Sequence, residues 1–181
     1  MPMKVLGISG SPIKGEGDLE YLLQGVLKGA GKKGVNVNTE IARLADTELS
    51  KGCIHCGWCL RYQTEEKYCS QNDGMEEIYR KIIEADAIVV ATPVCYGNIS
   101  WLLSCFLDRL KALAEGRFYG VNGPMDGVLV DKTMAGCVLA KLGQDGSERA
   151  LQTILMTAGL YGMIPVTLPI GLWTKFGYKI V

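Results

Sequence analysis

A chain of 181 residues, 48% hydrophobic and 21% charged, carries enough apolar material for one domain of ordinary size, and a single domain spanning 1–181 is expected. Nineteen Lys and Arg offset nineteen Asp and Glu, so no net field draws the chain to nucleic acid or an anionic membrane surface, and neither is expected as a partner. No apolar run approaches the roughly twenty residues that span a bilayer, and "MPMKVLGISG" shows no charged leader, apolar run and cleavage site; a cytoplasmic protein is expected.

In chain order, "KVLGISGSP" is a β-branched apolar run ending at Gly and Pro, which predicts a buried strand and a loop. Leu19, Leu22, Leu23, Val26 and Leu27 then follow helical spacing, with Asp18 as the expected N-cap and Gly29, Gly31 and Gly34 as stop signals. "VNVNTEI" alternates like a second strand with a polar face, as at a sheet edge. A cysteine-rich segment, about 50–72, interrupts as a loop insertion. A helix over 75–84 leads into "AIVVATP", a continuous apolar run of the kind found in a parallel strand covered on both faces, and so the expected centre of the sheet. Ser100 is placed to cap a helix carrying Leu103, Phe106, Leu107 and Leu110 inward. Residues 115–132, rich in Gly and turn formers, predict a surface excursion before the strand "TMAGCVLA". A helix over 147–161 and the strand "MIPVTLP" follow. Strands alternating with helices imply a doubly wound α/β sandwich, whose ligands bind beyond the carboxyl ends of the strands at the switch point.

The loops at those ends are the candidate sites. After the first strand, Ser9, Gly10, Ser11 and Pro12 form a turn feeding a helix N-terminus, where free backbone N–H groups and the positive dipole end suit an anion; a turn needing only small residues reads the same way. Neither GxGxxG nor a Walker loop is present, which disfavours a dinucleotide Rossmann site or an ATPase. After the central strand, "PVCYGNIS" offers backbone polar groups and an apolar wall to a flat heterocycle, or simply a Gly97-Asn98 turn. Cys53, Cys56 and Cys59 have CxxCxxC spacing, with Cys69 after nine intervening residues. Four such thiolates suit a [4Fe–4S] cluster or structural zinc, and unligated redox thiols are the third reading. His55 reads as a polar loop residue, Cys105 and Cys137 as small buried hydrophobes, and Trp58 and Tyr62 as packing or as a shield over the cysteines.

"GISGSP", the cysteine segment leading into "NDGMEEIYRKIIEADAIVVATPVCYGNIS", and "FLDRLKAL" resemble the flavodoxin-like NAD(P)H-dependent FMN reductases, specifically their iron–sulfur flavoprotein branch. The resemblance covers about 4–113 and continues more weakly to the last strand. It implies a three-layer sandwich with a five-stranded parallel sheet in order 2-1-3-4-5 and helices on both faces. It further implies FMN, its phosphate on Ser9, Ser11, Pro12, Gly17, Asp18 and Leu19. The ring would lie on Pro93, Val94, Cys95, Tyr96, Gly97 and Asn98, with Gly143, Gln144 and Asp145 nearby. Cys53, Cys56, Cys59 and Cys69 would hold the [4Fe–4S] cluster. Departures are visible: Ile13 stands where the family carries a basic residue, Asp18-Leu19 where it carries Asn-Thr or Asn-Ser, Cys95 where tyrosine is common, and the gap before Cys69 is longer than usual.

The activity so implied is oxidation of NAD(P)H by bound FMN, with electrons passed to a cluster, a quinone, a metal ion or a redox protein, and no catalytic side chain, in a homodimer or homotetramer. Trp101, Leu102 and Leu103 are the expected subunit contact. The contrasting expectation is a non-enzymatic flavodoxin-like binding module with a zinc-stapled cysteine loop.

Overall fold

Residues Met3–Ser9 form β1, and their apolar side chains are buried from Val5 onward. A computed structural model describes residues 2–31, 36–49, 51–140 and 146–166, together with the backbone of 171–174 and 177–180. After β1 come α1 (Asp18–Ala30), β2 (Val37–Arg43), a 3-10 turn at Leu44–Asp46, α2 (Trp58–Tyr62), α3 (Met75–Glu84) and β3 (Ala87–Pro93). The chain continues through α4 (Trp101–Arg109), α5 (Lys111–Ala114), β4 (Thr133–Leu139), α6 (Ser147–Leu160) and β5 (Ile164–Val166).

These five strands form one sheet in the order β2-β1-β3-β4-β5, with every neighbouring pair parallel. The expected order holds, with β3 at the centre and β2 at an edge. Parallel pairing makes each connection a helical crossover, and the period-two side chains of each strand divide between two covered faces. On one face Leu23 and Leu27 of α1 pack with Val5, Val89, Ala135 and Cys137. On the other, Ile82 of α3, Phe106 of α4 and Ile154 of α6 pack with Leu6, Ile8, Ile88, Val90 and Met134. The chain leaves β1 for β2 on one side and returns to β3 on the other. In sheets wound this way, such a reversal marks the switch-point crevice beyond the carboxyl edge where ligands bind.

Five sequence expectations need correction. Gly17, not Asp18, is the N-cap of α1: its backbone is extended (φ −148°, ψ −168°) and its N–H donates to Oε2 of Glu20 at 2.9 Å. The carboxylate at the third helical position reaches back to the N-cap N–H, the reciprocal bond of a capping box. The helix after Ser100 stops at Arg109 and restarts at Lys111, although Ser100 caps it as expected, its hydroxyl accepting from the Leu103 N–H at 3.1 Å. Leu102 and Leu103 are buried in the core of their own chain, so of the expected subunit-contact residues only Trp101 is exposed. Cys137 is buried as expected, whereas Cys105 is half-buried at the margin of the core. The 115–132 stretch is no mere surface excursion, because Tyr119 and Leu129 are buried and Tyr119 stacks on Tyr68 with ring centroids 5.1 Å apart. A further antiparallel pair, β6 (Gly171–Thr174) and β7 (Gly177–Ile180), was not anticipated.

Candidate functional site

Two places combine chemistry-bearing residues, and α4 runs between them. Ser100 caps its start at the carboxyl edge of the sheet, and Arg109 ends it beside the cysteine segment. Nine helical residues at 1.5 Å each separate the two by roughly 13 Å.

At the carboxyl edge the β1–α1 loop, the β3–α4 turn and the start of α6 are brought together largely through the backbone. The strand ends are level, with Ser9 paired to Ala91 and Ala91 to Cys137. The first loop is tied to β3 by Gly10 N–H donating to Ala91 O at 2.7 Å and by the Ser100 hydroxyl donating to Gly10 O at 2.5 Å. No side chain fits at Gly10, since a Cβ there would lie 2.8 Å from Leu103 Cβ. Within the loop, Ser9 Oγ accepts from Ser11 N–H and donates to Glu20 Oε1 at 2.5 Å; Ser11 Oγ accepts from Ile13 N–H at 3.2 Å. Glu20 is only 2% exposed, with one carboxylate oxygen on Ser9 and the other on Gly17. Its charge lies behind the loop rather than on the open side. The amides of Asp18 and Leu19, at the first two positions of α1, have no intrahelical acceptor, as in any helix start. Pro12 and Asp18 are exposed and Leu19 is buried.

After β3 the chain makes a tight turn. Cys95 N–H donates to Asn98 O at 2.7 Å and Asn98 N–H to Cys95 O at 3.0 Å, with Tyr96 and Gly97 both left-handed (φ 48° and 74°). Two successive positive φ values define the hairpin-type turn that Asn-Gly sequences favour, here adopted with Tyr at the first central position. The turn leaves Tyr96 fully exposed. Asn98 shapes the loop: its Oδ1 accepts from Ile99 N–H at 2.8 Å and from the Thr153 hydroxyl of α6 at 3.1 Å. Val94 N–H donates to Leu139 O at 2.9 Å, joining the turn to the end of β4. The start of α6 meets the same turn. At Gly146 (φ 114°) a Cβ would lie 2.3 Å from Gly97 Cα, so the N-terminus of α6 abuts the β3–α4 turn glycine to glycine. Gly143, Gln144 and Asp145 lie outside the described residues.

The second place is a cavity of about 220 Å³ whose wall includes all four expected cysteines: Cys53, Cys56, Cys59 and Cys69. Ile54 and His55, with Tyr79, Arg109 and Lys111, complete much of the rest. All four thiols are free. They stand around a shared space rather than at one point: among the described residues no group of three His, Cys, Asp or Glu side chains is set to hold a metal ion. Their mutual proximity is felt electrostatically. Burial pushes the Cys59 thiol up, and the neighbouring Cys69, Cys53 and Cys56 push it further. Cys56 is drawn down instead, chiefly by its 3.2 Å hydrogen bond with the Ser70 hydroxyl.

One side chain anchors the segment that carries these cysteines. Gln63, buried just after α2, donates through Nε2 to Tyr68 O (3.0 Å) and Ala112 O (2.7 Å), and its Oε1 accepts from Phe118 and Tyr119 N–H (3.0 and 3.1 Å). Three separate stretches are thereby joined, and Arg117 N–H adds a bond to Cys59 O at 2.9 Å. Trp58 and Tyr62, read as packing or as a shield, are not among the residues that line the cavity. That place belongs to Tyr79, whose ring packs tilted against Tyr68 at 5.3 Å. Gln63 and Glu20, the two organising polar residues, were missed in the sequence. Glu20 had a legible signal, an acidic residue three positions after a glycine at a helix start; Gln63 had none.

A sequence model of the NADPH-dependent FMN reductase family matches residues 3–173. An iron–sulfur flavoprotein of Methanocaldococcus jannaschii is 40% identical over 114 residues, covering 63% of this chain and 55% of that protein. One from Methanosarcina thermophila is 32% identical over 164 residues, 91% of this chain and 77% of that protein. Among solved structures, RosB with bound 8-demethyl-8-formylriboflavin-5′-phosphate aligns at a TM-score of 0.71 over 95% of this chain and 65% of that one; at 20% identity this likeness shows the fold alone. The match thus spans little more than half the length of the first relative. The fold and site define a flavodoxin-like α/β protein with a crevice at the β1/β3 switch point. The chain belongs to the NADPH-dependent FMN reductase family, in its iron–sulfur flavoprotein branch.

Proposed function

We propose that this chain is an FMN-dependent oxidoreductase that takes electrons from NADH or NADPH and passes them on through a [4Fe–4S] cluster held by Cys53, Cys56, Cys59 and Cys69. The carrying observation is the convergence of the β1–α1 loop, the β3–α4 turn and the start of α6 at the switch point, with an unpaired helix start on one side and an exposed turn on the other. FMN, when bound, supplies the exchange between paired and single electrons. The chain's own work is to bind and orient. The Asp18 and Leu19 amides and the dipole of α1 hold the phosphate, and Ser9, Ser11, Pro12 and Gly17 keep that loop in shape. Pro93, Val94, Cys95, Tyr96, Gly97 and Asn98 carry the ring. The central amides of that turn, Tyr96 and Gly97, lie outside its two internal bonds and are free to donate to the ring edge.

The cysteine cavity suits a cluster better than a single ion. Zinc needs its donors about 2.0–2.3 Å from one point, whereas these thiols surround a cavity of about 220 Å³. Arg109 and Lys111 on the same wall offset the negative charge of a thiolate-bound cluster, and buried Arg109 Nε has no protein partner. The onward acceptor is a quinone, a metal ion or a redox protein. Exposed Tyr96 and Trp101 beside the crevice support a second copy of the chain packing there, in a homodimer or homotetramer. The seven free thiols suit a reducing cytoplasm, and among the described residues no helix is long and apolar enough to cross a membrane.

Anaerobically purified protein tests the reading. It should be yellow, and its flavin absorbance should bleach on adding NADH or NADPH. Ser11→Glu should lose the flavin by repulsion of the phosphate. Undiminished flavin content in that variant would remove the first loop from the site.

A further inference from the structure

Arg109 closes α4 and is 2% exposed, a depth at which a charge needs partners. It has one. Nη1 and Nη2 grip the Asp73 carboxylate end-on at 2.9 and 3.1 Å, and Nη1 also reaches Lys51 O at 3.4 Å. The end-on grip occupies both terminal nitrogens and leaves the Nε–H, which is buried and has no hydrogen-bond partner. The residue lines the cysteine cavity. Tyr79, on the same wall, fixes the end of α4 by donating its hydroxyl to Arg109 O at 2.8 Å. A guanidinium on the wall of a cavity lined by four thiols, with its Nε–H left without a partner, is more than a structural bolt.

We propose that Arg109 is a positioning residue that sets the reduction potential of the redox group in the cysteine cavity, through its fixed positive charge. This rests on the cluster reading above. Reduction adds one negative charge to a thiolate-bound cluster, so a buried cation beside it favours the reduced state and raises the potential. Asp73 works against it: a carboxylate 2.9 Å from the guanidinium partly cancels the field felt in the cavity. The pair therefore makes predictions of opposite sign for its two members.

The test is an anaerobic redox titration, followed by electron paramagnetic resonance, of holoprotein reconstituted with iron and sulfide. Arg109→Gln should shift the cluster potential negative, Arg109→Lys should shift it less by keeping the charge, and Asp73→Asn should shift it positive. A purely structural bolt would alter thermal stability and leave the potential in place. Cluster-loaded Arg109→Gln with a wild-type potential overturns the proposal, as does a negative shift in Asp73→Asn. Should Arg109→Gln fail to fold, Asp73→Asn decides: a positive shift supports the proposal and an unmoved potential overturns it. Wild-type protein that takes up no iron and sulfide overturns the cluster reading itself and Arg109's role with it, which separates that failure from an unmoved potential in a loaded cluster.

Discussion

The crevice and the cysteine cavity lie at opposite ends of one helix and are built in opposite ways. The crevice is fastened mostly by main chain: Gly10 to Ala91, Cys95 to Asn98, Val94 to Leu139, and Gly146 against Gly97. The cavity is held mostly by side chains, with Gln63 joining three stretches and Arg109 locked to Asp73. Backbone fastening fixes loop shape while leaving side chains free to vary, so it suits a site that reads a cofactor's phosphate and ring edge. Side-chain fastening concentrates the cost of failure in a few residues, because each buried polar group left without its partner costs about 1–3 kcal/mol.

The largest effect should come from breaking the side-chain half. Gln63→Ala strands the Tyr68 and Ala112 carbonyls and the Phe118 and Tyr119 amides. It should lower stability by several kcal/mol, about 10 °C or more in thermal midpoint for a chain of this size. Iron content should fall while flavin content stays, which metal analysis and the visible spectrum read together. Gly146→Ala is the matching lesion in the other half. Its methyl would meet Gly97 Cα at 2.3 Å in a left-handed backbone, at a cost of about 1–3 kcal/mol. Flavin affinity should drop roughly tenfold, a loss worth about 1.4 kcal/mol, and iron should be retained.

A smaller effect follows from Cys137 on the central sheet. Burial pushes its thiol up to about 11 from an ordinary value near 9. The folded protein thus keeps the proton after the unfolded chain has lost it, so the stability is present in full below pH 9 and is lost as pH rises toward 11. The loss amounts to about 3 kcal/mol. The urea-stability gap between wild type and Cys137→Ala should narrow as pH is raised through that window, and a constant gap would refute it. Smallest of all, Glu20→Ala should cost about 1 kcal/mol by removing the acceptor for Gly17 N–H and the Ser9 hydroxyl, read as a lower urea midpoint.

The same contrast explains what the sequence made legible. "AIVVATP" announces a covered central strand because both its faces are apolar, and the alternation in "VNVNTEI" announces an edge; sheet order and the crevice follow from such patterns. Ser100 capping α4 was readable because a cap is a local interaction between residues close in sequence. Gln63 was not, since its partners lie five, 49 and some 55 residues away and nothing in its neighbours marks it as buried. The burial of Leu102 was missed for a related reason: apolar residues opening a helix look alike whether they face a partner chain or their own core. The cysteine spacing singled out the four thiols that line one cavity, but Arg109 and Lys111, the cations on the same wall, come from other elements.

The most direct test of the account is a crystal structure of the anaerobically purified protein with FMN. The account predicts the phosphate on the Asp18 and Leu19 amides, the ring against 93–98, and the cysteine cavity filled at the other end of α4. A flavin seated elsewhere, or a switch-point crevice closed by the protein's own side chains, would contradict it.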